Sequence, residues 1–247
     1  MSVRDVAQAY AKSKLARELE TDPGTVLIYR PVSFVIASLL ARLGVTPNAV
    51  TMTAGLVNPA IVVVVLTATP STAFAAITFL GILYALLDCV DGDIARVSNL
   101  TSSIGHYCDF VFDVVHRFVF YGALGYLADR LVEPSPLLVR LGMDYFGLML
   151  VTAWIVLFTR LCREWSPPEE DRSNSDTTTA AARSGRSFRP FAWAVFSSID
   201  QHYAILGFLS WTLGLLEFYL VYLFVVTVVD VLISQSRIIG QISGGES

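Results

Sequence analysis

Five residues near the middle of the chain share a spacing with chemical consequences. Asp88, Asp91, Gly92, Ala95 and Arg96 fall at i, i+3, i+4, i+7 and i+8, which is one face of an α-helix. Shortly afterwards Gly105, Asp109 and Asp113 fall at i, i+4 and i+8, again one face. Both groups adjoin long apolar stretches, and carboxylates beside lipid generally pair or bind cations. Arg96 cannot neutralise four of them, whereas a divalent metal can. Hard oxygen ligands suit Mg²⁺ or Mn²⁺, ions that keep waters and share coordination with substrate phosphates. Gly92, Ala95 and Gly105 add small surfaces that let a bulky ligand or a neighbouring helix approach the backbone. Carboxylates, a guanidinium and small residues together form the inventory of a phosphoryl-transfer site.

The elements that must carry these residues are membrane spans. Of the 247 residues 54% are hydrophobic and only 15% charged, against about 25% charged in an ordinary soluble domain. Such a chain has too little polar surface to dissolve as a globule, and an all-α integral membrane protein is the expectation. A bilayer core of about 30 Å needs roughly 20 apolar residues as helix. Segments 47–68, 71–96, 103–128, 141–162, 190–212 and 213–236 meet this, giving six transmembrane helices, the last two joined tightly around Leu213–Gly214. Thr46 is placed to cap the first span, with Pro47 at its first helical position. Residues 24–43 are apolar but interrupted by Arg30, Pro31 and Arg42, which predicts a juxtamembrane helix lying at the interface. The division is then 1–45 as a cytoplasmic N-terminal segment with that helix, and 46–240 as the six-helix catalytic domain. The polar, Pro/Ser/Thr-rich stretch 166–189 reads as a loop.

Six spans put both termini on one side with the loops after spans two and four. That side holds fifteen of the 17 Lys and Arg residues, the other only Arg130 and Arg140, so the positive-inside rule places the termini and the acidic junction at the cytoplasm. Span two ends where span three begins, and the two acidic faces can meet within about 12 Å of that surface, taking 1.5 Å per helical residue. A net charge of −4 argues against a nucleic-acid partner. Cys89, Cys108 and Cys162 form neither a disulfide framework nor a metal motif. The run His106, Tyr107, Cys108, Asp109 does not read as zinc-binding, because adjacent helical residues point apart.

The pattern Asp88-x2-Asp91-Gly92-x2-Ala95-Arg96-x8-Gly105-x3-Asp109-x3-Asp113 resembles, at every position, the signature of the CDP-alcohol phosphotransferase family. Thr46-Pro47-Asn48 at the start of span one is also similar to the family. The resemblance implies transfer of a substituted phosphate from a CDP-alcohol to a second hydroxyl, releasing CMP, by a homodimeric membrane enzyme in phospholipid biosynthesis. It implies that Asp88, Asp91, Asp109 and Asp113 hold Mg²⁺ or Mn²⁺, two ions in all, with Asp113 also the general base. Asp88, Asp91, Gly92, Ala95, Arg96, Gly105 and Asp109 would line the nucleotide pocket with Arg96 near the diphosphate, and Asn48 is a further candidate contact. A hydroxyl has a pKa far above 7, so a carboxylate must take its proton during attack. Asp113 lies farthest along its helix from the polar loop and is best placed to meet an acceptor coming from within the bundle.

A site at the membrane surface suits a lipid donor such as CDP-diacylglycerol, with a water-soluble CDP-amino alcohol as the rival. Arg160, Arg163 and Arg237, near the cytoplasmic ends of spans four and six, are candidate ligands for a phosphorylated polyol acceptor such as inositol phosphate or glycerol phosphate. Interfacial snorkelling is the competing reading of the same three residues. Asp144, Asp200, His202 and Asp230 read as acceptor contacts or as interhelical hydrogen-bonding groups. Asp93 lies off the shared face and reads as solvated or helix-packing, while His116 and Arg117, at i+3 and i+4 from Asp113, are placed to orient it. A divalent-cation transporter would also put carboxylates in spans, but near the midplane and on internal repeats. Here they cluster at one end without a repeat.

Overall fold

The computed structural model describes residues 1–100, 102–164 and 202–244, and nearly all of them are helical. Four short helices come first: α1 (Val3–Ser13), α2 (Leu15–Thr21), α3 (Pro23–Ile28) and α4 (Arg30–Arg42). The remainder are α5 (Pro47–Gly55), α6 (Val57–Thr67), α7 (Pro70–Ser98), α8 (Ser103–Leu131), α9 (Pro136–Arg140), α10 (Tyr145–Glu164), α11 (Tyr203–Thr212) and α12 (Leu216–Gly244). Among the described residues five segments are long and apolar enough to cross a bilayer: α5 with α6, α7, α8, most of α10, and α12. This is a multi-pass, all-α integral membrane protein. The fifth of the six expected spans, 190–212, is represented only by α11, because residues 190–201 lie outside the described ones.

Local chemistry explains where the helices stop. Thr46 caps α5 as expected, its hydroxyl accepting from the Ala49 amide at 3.3 Å. The single helix expected over 47–68 is broken at Leu56, three residues before Pro59. Proline lacks the amide for the i→i−4 bond, and its ring crowds the carbonyl of Gly55. Similarly, Pro31 starts a new helix, so the expected 24–43 helix is two, α3 and α4, parted at Tyr29. These helices do more than lie at an interface: α1 and α4 bury Val6 and Ala37 against Val90 and Ile94 of α7.

The turn after α7 brings the acidic faces together. Asn99 takes a left-handed conformation (φ 52°) and returns its amide to the Ala95 carbonyl, a geometry asparagine tolerates better than most residues. Ser102 then caps α8 by accepting from the Gly105 amide at 3.0 Å. At the far end of α8, Asp129 accepts from the amides of Tyr145 and Phe146 at 2.8 and 3.0 Å, clamping the start of α10. Gly125 lets α10 come close: a Cβ there would sit 2.6 Å from the Tyr145 carbonyl oxygen. The core between these helices contains Ile61, Phe74, Phe120, Tyr121, Leu124, Tyr145, Met149 and Leu220. Leu66, Phe79, Trp154 and Phe218 face outward, as lipid-contacting side chains do in a spanning bundle.

Candidate active site

Two neighbouring hollows lie at the paired ends of α7 and α8. The smaller, of about 170 Å³, is lined by Asn48 and Thr51 of α5, Asp91, Gly92 and Ala95 of α7, and Gly105 and Asp109 of α8. The larger, of about 710 Å³, takes in Asp88, Arg96, Asp109, Asp113, Arg117 and Arg160. Asp109 and His106 border both. All eight residues singled out by spacing therefore reach one composite site, together with Asn48 and Arg160.

The small residues have identifiable neighbours. A Cβ on Gly105 would fall 2.5 Å from Asn48 Oδ1 and 2.9 Å from Ser102 Oγ, so the present position of the Asn48 side chain depends on a glycine there. A Cβ on Gly92 would fall 3.2 Å from Arg96 Nη2, because the guanidinium folds back over that position. Asp91 is buried and accepts a 2.6 Å hydrogen bond from Thr51 Oγ1. Spacing reasoning missed Thr51, although it lies at i+3 from Asn48 on the same helical face.

Asp113 is flanked by two cations. Arg117 Nε lies 3.5 Å from Oδ1, and Arg160 Nη1 forms an ion pair with Oδ2. Arg117 is thus the i+4 neighbour that faces the carboxylate. His116 does not: it is fully buried, stacked on Tyr84 with 3.7 Å between ring centroids, and its Nδ1 lies 2.8 Å from Asn58 Oδ1. The side chains of Arg163 and Arg237, and the whole of Asp200, lie outside the described residues. Asp144 caps the start of α10 through the Gly147 amide rather than facing the cavity. His202, at the start of α11, lies 3.6 Å from Asp22 of the N-terminal segment.

Asp93 is a helix-packing residue and not a solvated one. Its side chain has no exposure, and it accepts from Arg30 Nη1 at 3.0 Å, Ser33 Oγ at 2.7 Å and Arg96 Nη2 at 2.7 Å. Arg30 also holds Glu18 with two 2.8 Å bonds. Burial by itself would raise the Glu18 carboxyl, but the bonds from Arg30 and Tyr10 outweigh it and bring the pKa down to about 2. The N-terminal segment thus walls the larger hollow with Lys14, Glu18, Asp22, Thr25, Tyr29 and Arg30. The one sequence signal for this was a charged Arg30-Pro31 step inside an apolar stretch.

The donor set fits a hard divalent ion. Asp88 and Asp109, on adjacent helices, both line the larger hollow, and Asp91 lines the smaller one with Asp109. Carboxylates gathered at one end of a spanning bundle generally pair or bind cations. Among the described residues no three such side chains converge on a common point; what suits a hard ion is the oxygen chemistry of the four carboxylates and their place around the two hollows. Arg96 supplies a second indication of a ligand: its buried Nε has no protein partner although Nη2 is fixed on Asp93.

The spanning segments, with a composite hollow at one end of the bundle, set the chain among integral membrane proteins. Residues 44–229 match the CDP-alcohol phosphatidyltransferase family, and the chain belongs to it. It is accordingly a transferase of substituted phosphate groups, moving such a group from a CDP-alcohol to an alcohol. Members of this family are generally divalent-cation dependent. No curated relative matches the chain.

Proposed function

We propose that the protein transfers a phosphatidyl group from CDP-diacylglycerol to a phosphorylated polyol, of the inositol phosphate or glycerol phosphate type, and releases CMP. The observation that carries this reading is that Asp109 borders both hollows, the smaller one floored by small residues and the larger one bordered by Arg117 and Arg160. In this reading the cytidine enters between α5, α7 and α8, over Gly92, Ala95 and Gly105 and beside Asn48. Arg96 directs its unshared donors at the donor diphosphate. Asp88, Asp91, Asp109 and Asp113 would hold Mg²⁺ or Mn²⁺, which when bound neutralises diphosphate charge and the charge developing on the CMP leaving group.

Asp113 receives the proton of the attacking hydroxyl. Arg117 and Arg160 hold that carboxylate at the edge of the larger hollow, and Arg160 is the residue nearest the base that can bind an acceptor phosphate in a forked geometry. An acceptor phosphate that engages Arg160 loosens its hold on Asp113, so acceptor binding would free the base. The lipid donor keeps its tails in the bilayer beside the outward apolar faces while its head reaches the hollow. Orientation with the site toward the cytoplasm follows from the distribution of basic residues, and a homodimer is the assembly the family implies. Membership of a transferase family removes the case for a cation transporter.

The test is CMP release by purified protein with Mg²⁺ or Mn²⁺ and CDP-diacylglycerol, against inositol phosphate, glycerol phosphate, serine and choline. Release with a phosphorylated polyol, lost on chelation and in Asp113→Asn, supports the reading. CMP formed only from water-soluble CDP-alcohols would replace the donor assignment, and release with serine alone would replace the acceptor.

A further inference from the structure

The N-terminal segment lies outside the family-matched residues 44–229, yet its most buried charged group points at the signature helix. Arg30 is 3% exposed in its side chain and divides its donors between two carboxylates. Nε and Nη2 engage Glu18 in a fork, while Nη1 engages Asp93 Oδ1. Ser33, one turn along α4, fixes the other oxygen of Asp93 at 2.7 Å. Both oxygens of Asp93 are thus anchored from α4 before Arg96 is considered. Arg96 then shares Oδ1 through Nη2 alone. The Tyr10 ring lies under both guanidinium groups, 4.6 Å from Arg30 Cζ and 5.9 Å from Arg96 Cζ.

This arrangement does something a simple ion pair would not. A carboxylate held only by Arg96 would move with it, and a guanidinium with a whole carboxylate to itself tends to pair bidentately. With Arg30 and Ser33 occupying Asp93, Arg96 is pinned by one nitrogen and keeps its remaining donors for the site, where Nε has no protein partner. We infer that Arg30, Ser33 and Asp93 are positioning residues for Arg96, so that docking of the segment upstream of residue 44 sets the guanidinium that meets a nucleoside diphosphate. The inference rests on the reading of Arg96 as a diphosphate contact. Asp93 does not belong to the spaced signature, and its role is visible only through its partners on α4.

The experiment uses the full chain in detergent with CDP and Mg²⁺ as the probe, read by calorimetry, alongside Michaelis constants for donor and acceptor from CMP release. Arg30→Met is made in the native background and in Arg96→Met. Loss of one charge-assisted contact predicts CDP binding weakened about tenfold in the native background, with little further loss once Arg96 is gone and the acceptor constant unchanged. Ser33→Ala gives a smaller loss with the same dependence on Arg96, and it carries the test should Arg30→Met not fold. Equal losses in both backgrounds would assign the network a structural role and overturn the inference, as would unchanged CDP binding in Arg30→Met or, where that variant does not fold, in Ser33→Ala. If Arg96→Met by itself binds CDP normally, the underlying reading of Arg96 fails and the inference falls with it.

Discussion

Replacing Gly105 by alanine puts a Cβ 2.5 Å from Asn48 Oδ1 and 2.9 Å from Ser102 Oγ, both side-chain atoms. The least costly relief is for Asn48 to swing away from α8. That breaks its 3.4 Å contact with Ser102 and carries its amide out of the smaller hollow. Overpacking of this kind costs about 1–3 kcal/mol. Within the helix, however, alanine is favoured over glycine by roughly 0.5–1 kcal/mol. The two effects nearly cancel in global stability when the overlap is relieved cheaply, so the thermal midpoint should change little. The nucleotide pocket has no such compensation. If the displaced Asn48 costs the donor about 1–3 kcal/mol, CDP affinity falls roughly 5- to 150-fold. Calorimetry with CDP and Mg²⁺, beside donor and acceptor Michaelis constants, separates the contributions: the donor constant rises and the acceptor constant stays. A Gly105→Ala protein that binds CDP like the native chain would refute the placement of the nucleotide between α5 and α8.

Three further outcomes are expected. Arg160→Met should raise the Michaelis constant for a phosphorylated acceptor on the order of 10- to 100-fold, as for loss of a hydrogen bond to a charged group, and leave CDP binding intact; an equal effect on an uncharged acceptor such as glycerol would count against it. Gly125→Ala meets backbone of α10 at 2.6 and 2.8 Å, which no rotamer change relieves, so the thermal midpoint should drop by roughly 2–4 °C per kcal/mol of strain, and an unchanged midpoint would contradict the close helix contact. Glu18 has its pKa lowered from 4.5 to about 2 by its partners, so the unfolded state binds the extra proton between those values and stability rises with pH there. Docking of residues 1–43, followed by limited proteolysis, should therefore weaken as pH falls from about 4.5 toward 2, and Glu18→Gln should flatten that dependence; a native profile already flat across this window would remove Glu18 from the account.

Much of the site was legible in the sequence because helical periodicity is a local property. The i, i+3, i+4, i+7, i+8 spacing fixes Asp88, Asp91, Gly92, Ala95 and Arg96 on one face whatever packs against it. Low charge and long apolar runs made the bundle legible too, and Thr46 and Pro47 marked the start of α5. Tertiary structure decided the partners. Asp93 is one residue from the signature face, and nothing local distinguishes a solvated aspartate there from one buried by α4. Only the fold brings Arg30 and Ser33 across more than fifty residues of sequence to meet it. His116 and Arg117 were equivalent neighbours of Asp113 by spacing, and packing separated them by stacking one on Tyr84 and turning the other toward the carboxylate. Side-chain type and period determine which chemistry a helix face can offer. Which charges are neutralised, and from which direction, depends on contacts between segments that are remote in sequence, because burial and pairing are properties of the assembled bundle.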